Sequence, residues 1–430
     1  MDENRFATHS LKDPRILRIL DAALDAVDPY KAVQQYLPDI NGRIFGLGIG
    51  KAAIPMMDAL AERIPLSGGL AVTKFASSLS RKLYSVTPNM GVIEGGHPIP
   101  DARSLIAGKR VLDFVSSLNE DDTLVCLISG GGSALVTAPY EGITLDDMQT
   151  LTRELLSCGA RIDEINTIRR QLDRVKGGGL ARATKAKVVS LILSDVVGNP
   201  LEAIASGPTT PDPTSREDAL DILRKYQLQD RAPITIYQLL TTSTSPLAGD
   251  GGLSMGERVQ NIVIGDNELA SRAALEQAKR EGFHVSLLTN QLQGEAREVG
   301  IALSMKLLDE VSNRPRPFCL IAGGETTVTL KGNGKGGRNQ ELALGAVNEL
   351  RDMQNVMLIA LATDGDDGPT DAAGAVVTGE SAQRAESLGL DAAGSLSRND
   401  AYPFFEALDD LIRTGPSGTN VNDLVFLLAL

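Results

Sequence analysis

Two glycine-dense loops hold the residues whose types and spacing could do chemistry. Ser129-Gly130-Gly131-Gly132-Ser133 directly follows an apolar run that starts at Thr123, and it precedes Ala134-Leu135-Val136. A buried strand that opens into three glycines lets backbone N–H groups approach an anion without Cβ clashes. The two serine hydroxyls add donors. The second loop, from Gly323-Gly324-Glu325 to Gly336-Gly337-Arg338, carries Lys331 and Lys335 and enters a helix at Asn339-Gln340-Glu341. Two such loops on one chain point to phosphate handling. Lys51 stands where the segment Gly46-Leu-Gly-Ile-Gly50 opens into a helix. A cation in a first helical turn opposes the helix dipole, which makes it more useful beside an anionic ligand than in solvent.

The Lys51 loop is not a Walker A loop, because Phe45 and Ala52 stand where glycine and Ser or Thr are required. Gly48, Gly50 and Ala53 fit a looser dinucleotide fingerprint. The acid expected about 20 residues further on is missing; the chain there reads Val72-Thr73-Lys74-Phe75. Asp195 follows the apolar run 187–193. An aspartate at a strand's carboxyl end stands where a general base or Mg²⁺ ligand would be, or else it caps a turn. Asp364 leads an acidic cluster with Asp366, Asp367 and Asp371. Such a cluster suits Mg²⁺ or a nearby cation, and an acidic turn equally. Arg170 and Arg174 share a helix face just before Lys176, either as a small anion-binding patch or as a solvated face. His97, between Gly95-Gly96 and Pro98, reads as structural.

These residues need a scaffold, and 430 residues are enough for two or three cored domains. The apolar share of 42% and the charged share of 23% are those of an ordinary globular protein. A net charge of −13 without a long basic stretch argues against nucleic-acid binding. The three cysteines are far apart and read as buried thiols. The polar N-terminus and the lack of a long apolar stretch predict a cytoplasmic protein with no membrane partner.

Residues 13–37 have the spacing of one or two helices. Strands are expected at 43–49, 69–75, 123–129 and 187–193, with helices at 52–63, 102–118, 145–157 and 165–183. After a turn-rich linker at 241–252, strands are expected near 260–264, 283–289, 318–322, 326–330 and 356–363, with helices near 267–281, 295–311 and 339–350. The alternation predicts an α/β fold of two lobes: a Rossmann-like, mostly parallel sheet and a second α/β domain, with the site in the cleft between them. The division is placed at 1–240 and 241–430, leaving the helical residues 1–40 free to pack on the other lobe.

Taken together, the segments resemble the glycerate 2-kinase family, whose C-terminal lobe is the MOFRL domain. The matching stretches are GIGKAA at 48–53, GGHPIPD at 95–101, LISGGGSAL at 127–135, RVKGGGLA at 174–181 and LSDVVGNPLEAIASGPTTPDPT at 193–214. GDNELA at 265–270, AGGETTVTLKGNGKGGRNQELAL at 322–344, ATDGDDGPTDAAGA at 362–375 and GTNVNDL at 418–424 continue it over nearly the whole chain. The resemblance implies transfer of the γ-phosphate of ATP to the 2-hydroxyl of D-glycerate, with Mg²⁺, by a monomer or homodimer. It implies Lys51, Asp195 and Arg338 as the catalytic groups. Lys51 and Arg338 would neutralise charge and bind substrate, and Asp195 would take the hydroxyl proton or hold the metal. Ser129, Gly130, Gly131, Gly132, Ser133, Gly336 and Gly337 would hold nucleotide phosphates. Asp364 is a weaker candidate for substrate or metal. One departure stands before RVKGGGLA: Arg170-Gln171 and Asp173 replace the family's Lys-His and Ser. The rival readings are an NAD(P)-dependent hydroxypyruvate reductase and a sensor that binds glycerate or a sugar phosphate without turnover.

Overall fold

The computed structural model describes residues 3–74, 90–242 and 255–430. The chain forms two compact units, one of residues 29–264 and one of residues 1–28 with 265–430. The boundary therefore lies beyond residue 240, and the first helices divide: Pro14–Asp25 goes with one unit and Pro29–Tyr36 with the other. The expected linker lies outside the described residues from 243 onward.

The 29–264 unit is built on six strands: β1 (Arg43–Ile49), β2 (Gly68–Thr73), β3 (Met90–Glu94), β4 (Asp122–Ile128), β5 (Lys187–Leu193) and β6 (Val259–Gly265). Their order is β3-β2-β1-β4-β5-β6. β1 runs parallel to both β2 and β4, β2 to β3, and β4 to β5. This is a doubly wound sheet whose strand order reverses between β1 and β4, so the loops leaving those two strands flank the crevice where such sheets bind ligands. β4 is buried at every position, as expected of a strand covered on both faces. The glycines of β1 have a packing reason. A Cβ on Gly46 or on Gly48 would come within 2.8 Å of Met57, on the helix Ala53–Arg63. The Gly-x-Gly spacing thus brings that helix close to the sheet.

A helical layer is built from the segments that follow β4 and β5. Leu145–Ser157, Ile162–Leu172, Arg216–Lys225 and Ile234–Thr242 share a core that includes Leu151, Leu155, Ile165, Leu172, Leu223 and Ile236. The helix expected at 165–183 stops at Leu172, because Asp173 is extended and Gly177 and Gly178 take φ of 54° and 79°. Only a short turn, Gly179–Arg182, resumes it.

The other unit has a mixed sheet of β7 (His284–Leu292), β8 (Phe318–Gly324), β9 (Val356–Ala362), β10 (Gly374–Thr378), β11 (Leu411–Ile412) and β12 (Asp423–Ala429). Its order is β11-β10-β9-β12-β8-β7, with β7 parallel to β8 and the other pairs antiparallel. The strand expected at 326–330 does not form. Backbone N–H groups there donate to the β7–helix turn instead: Glu325 to Leu292 O at 2.8 Å and Thr327 to Gly294 O at 2.9 Å. Two lobes, one with a mostly parallel sheet and one with a second α/β arrangement, match the expected fold class.

Candidate active site

The loops leaving β1 and β4 are tied together at the point of strand reversal. Lys51 N–H donates to Gly130 O at 3.0 Å, and Ala52 N–H donates to Ser129 Oγ at 3.0 Å. Gly50 has a φ of 129°, and a Cβ there would lie 2.5 Å from Ser129 O. Only glycine permits this approach. The Ser129 hydroxyl, expected on nucleotide, is thus an acceptor that positions the Lys51 loop.

Around Gly130–Gly132 the structure brings together side chains from four strand ends. Asp195, just past β5, lies against Gly130: a Cβ there would be 2.2 Å from its Oδ2. At Gly131, with φ of 85°, a Cβ would lie 3.0 Å from the His97 ring and 3.5 Å from Lys51 Cγ. The N–H groups of Gly130, Gly131, Gly132 and Ser133 find no acceptor among the described residues, so four backbone donors stand at one turn beside a lysine. Ser133 Oγ is 2.7 Å from Ser206 Oγ. His97, expected to be a satisfied structural residue, has a buried Nδ1 with no hydrogen-bond partner among the described residues. Burial, with the charges of Lys51 and Lys74, pushes its imidazole down to about 4. It is a neutral ring held beside cations.

Lys74 follows β2, where a dinucleotide-binding sheet carries its ribose-binding acid. A lysine at that point offers no acceptor for the ribose hydroxyls of a nicotinamide cofactor.

The departures from the family pattern have structural partners. Arg170 Nε donates to Asp212 Oδ1 at 2.8 Å, and Gln171 Nε2 donates to Asp212 Oδ2 at 2.7 Å. Asp173 receives Lys176 Nζ at 2.5 Å in a fully buried pair. Arg170 is therefore part of a buried network rather than a solvated face.

Gly336, Gly337, Arg338 and Asp364 belong to the other unit. Gly337 precedes the helix Arg338–Ala346, whose first N–H groups are already taken: Asp367 accepts from Asn339 N at 3.0 Å and from Gln340 N at 2.8 Å. Arg338 is likewise engaged. Its Nε donates to Asp423 at 2.6 Å and its Nη1 to Glu325 at 2.5 Å. Burial pushes the Asp423 carboxyl up to about 7 against the pull of Arg338. Asp364 lies in a turn where Asp366 N–H donates to its Oδ1 at 3.2 Å.

A cavity of about 620 Å³ opens beside His97 and Gly131, reaching Thr137, Arg169 and Lys176. Of these, Thr137 and Arg169 were not singled out from the sequence. They lie on different elements, and no spacing rule joins them.

A doubly wound sheet with a cationic, donor-rich turn at its strand reversal is the arrangement in which an α/β protein receives an anionic small molecule. Residues 15–241 match a family described as a domain of unknown function, DUF4147, and residues 318–423 match the MOFRL family. A D-glycerate 2-kinase of Thermotoga maritima is 41% identical, over 98% of this chain and 99% of its own. A glycerate 2-kinase of Pyrococcus horikoshii is 39% identical, over 96% of each chain. The crystal structure of a Thermotoga maritima glycerate kinase superposes with a TM-score of 0.87 at 41% identity, covering 96% of this chain and 98% of that one. The chain belongs to the glycerate 2-kinase family.

Proposed function

We propose that this protein transfers the γ-phosphoryl group of ATP to the 2-hydroxyl of D-glycerate, giving 2-phosphoglycerate and ADP. The observation that carries the reading is the meeting of Lys51, His97 and Asp195 around the unpaired N–H groups of Gly130–Ser133. Phosphoryl transfer asks a protein mainly for positioning and charge neutralisation. The N–H groups of Gly130–Ser133 hold phosphate oxygens, and Lys51 offsets the charge that spreads over them. Asp195 orients the acceptor hydroxyl and takes its proton.

The turn fits a nucleotide's phosphates, since its donors have no other acceptor and its glycines let an anion come close. Among the described residues no three His, Cys, Asp or Glu side chains gather as a resident metal site. Mg²⁺ carried in on phosphate oxygens and water needs only one or two carboxylates; Asp364 would hold it, or Asp195 would as the alternative to its role as base. Bound there, Mg²⁺ would neutralise charge on the phosphates. Arg338, paired with Asp423 and Glu325, acts on substrate only by sharing or exchanging those partners.

The test couples 2-phosphoglycerate to enolase and pyruvate kinase, with D-glycerate, ATP and Mg²⁺ and no mutase. Signal should require all three components. Lys51→Ala should lower kcat/KM by at least ~100-fold, as expected for loss of an oxyanion-stabilising group. Asp195→Asn should lower kcat at every Mg²⁺ concentration; a rise only in the Mg²⁺ needed for half-maximal rate would make it a metal ligand instead. Hydroxypyruvate-dependent NADH oxidation without phosphorylation would overturn the kinase reading.

A further inference from the structure

The cavity beside His97 contains polar groups that the phosphate chemistry leaves unused. Thr137 is fully buried, lines the cavity, and its Oγ1 has no hydrogen-bond partner among the described residues. Leaving a buried hydroxyl unpaired costs free energy, so such a group calls for a ligand or water. Arg169 also lines the cavity and has no carboxylate partner among the described residues. Nearby, Lys176 is paired with Asp173, so Arg169 and the exposed Arg153 leave the lining with uncompensated positive charge. His97 also lines the cavity, and its buried Nδ1 has no hydrogen-bond partner among the described residues. Opposite in character are Ile99 and Leu156, 66% and 61% exposed, which mark the mouth with apolar surface. The cavity therefore has a polar floor with Arg169 as its cation, and a rim that carries apolar side chains and Arg153.

We propose that this floor seats the hydroxy acid, with Arg169 on its carboxylate and Thr137 Oγ1 paired to a hydroxyl. The assignment rests on the kinase reading for the identity of the acid. A carboxylate satisfies the planar fork of Arg169 with two parallel hydrogen bonds. A hydroxyl can both donate to and accept from Thr137, which a phosphate oxygen cannot. The turn at Gly131 borders the same cavity, so an acid on the floor lies next to the groups proposed to hold the phosphates. Arg338, already between two carboxylates, then has no need to be the carboxylate clamp. The volume exceeds that of a three-carbon acid, so selection falls to the floor rather than to the walls.

Steady-state kinetics of Arg169→Met, Arg169→Lys and Thr137→Val test this, with calorimetry of D-glycerate binding alongside. Arg169→Met should raise KM for D-glycerate by at least ~30-fold, the scale of losing one partner of a buried charge pair, while KM for ATP stays within about threefold. Arg169→Lys should fall between it and the unaltered protein. Thr137→Val should raise KM for D-glycerate about tenfold without lowering the thermal midpoint, because it removes an unpaired hydroxyl. A merely structural threonine would not split KM in this way, and this variant carries the test if the arginine variants misfold. A rise confined to KM for ATP would make the cavity a nucleotide site, and no change in either KM would overturn the proposal outright. If the unaltered protein binds D-glycerate through Arg169 yet phosphorylates nothing, the pocket stands and the kinase reading falls.

Discussion

At the scale of single residues, the site is a set of charges whose mutual influence can be measured. His97 stays neutral because it is half-buried and faces Lys51 and Lys74. Its folded value of about 4 lies below the ordinary 6.5, so the folded state resists its protonation. The stability this group contributes is therefore complete above about pH 6.5 and is lost as pH falls through about 4. Lys51→Met removes one of the two charges but leaves the burial, which is the larger cause. NMR titration should show the His97 value rising part of the way toward 6.5 in that variant; only three histidines compete for assignment. No movement would mean that Lys51 does not face the ring. Lys51, Asp195 and Gly130–Ser133 were legible in the sequence because each follows an apolar run whose end can be counted. The place of Thr137, Arg169 and His97 beside the cavity was not. They are joined only by chain crossovers, and burial without a partner leaves no mark in residue order.

Elements decide how closely these groups meet, and the turn after β4 is the tightest constraint. Gly130 touches the Asp195 carboxylate so closely that a methyl group there would sit 2.2 Å from Oδ2. The obstructing atom is the end of a short side chain, so the fold can yield by swinging Asp195 aside. Gly130→Ala should therefore keep its thermal midpoint within a few degrees and lose at least ~10-fold in kcat, since small displacements of a positioned group are costly to the rate. Full activity would show that Asp195 has no fixed place in the reaction. The same closeness explains what the sequence disclosed about elements. Strands flanked by glycine turns, such as β1 and β4, were placed within a residue because their apolar runs end sharply. The expected strand at 326–330 failed because its β-rich composition cannot reveal that its N–H groups pair with a turn 30-odd residues earlier. β3, β10 and β11 passed unseen because runs of five residues or fewer carry too little periodicity, and β12 because a continuous apolar run has no alternation to mark it as a strand.

For the whole molecule, the chain's first 28 residues belong with its last 166, a packing that the sequence left open for residues 1–40 without dividing them. The helix Pro14–Asp25 buries Ile16, Leu17, Ile19, Leu20, Ala23 and Leu24, and it packs on the helix Asn267–Arg280. Arg18 clasps Glu281 with two hydrogen bonds of 2.7 Å. Just before that helix, Ser10 gives Asp410 two hydrogen bonds of 2.8 and 2.9 Å, and Thr8 gives it one of 3.0 Å. Asp410 is fully buried and also holds Arg384 at 2.8 Å. Removing residues 1–28 would uncover six apolar side chains' worth of packing surface and strip Asp410 of three of its donors. Burial of one large aliphatic side chain is worth about 1.5–3 kcal/mol, so the loss rivals the whole stability of an ordinary domain, about 5–15 kcal/mol. Hydrogen exchange on the truncated chain should show protection collapsing across 265–430 while strands β1, β2, β4 and β5 keep theirs. Uniform loss over the chain would mean that the two units unfold as one, and unchanged protection in 265–430 would mean that the N-terminal helix is an ornament rather than part of that core.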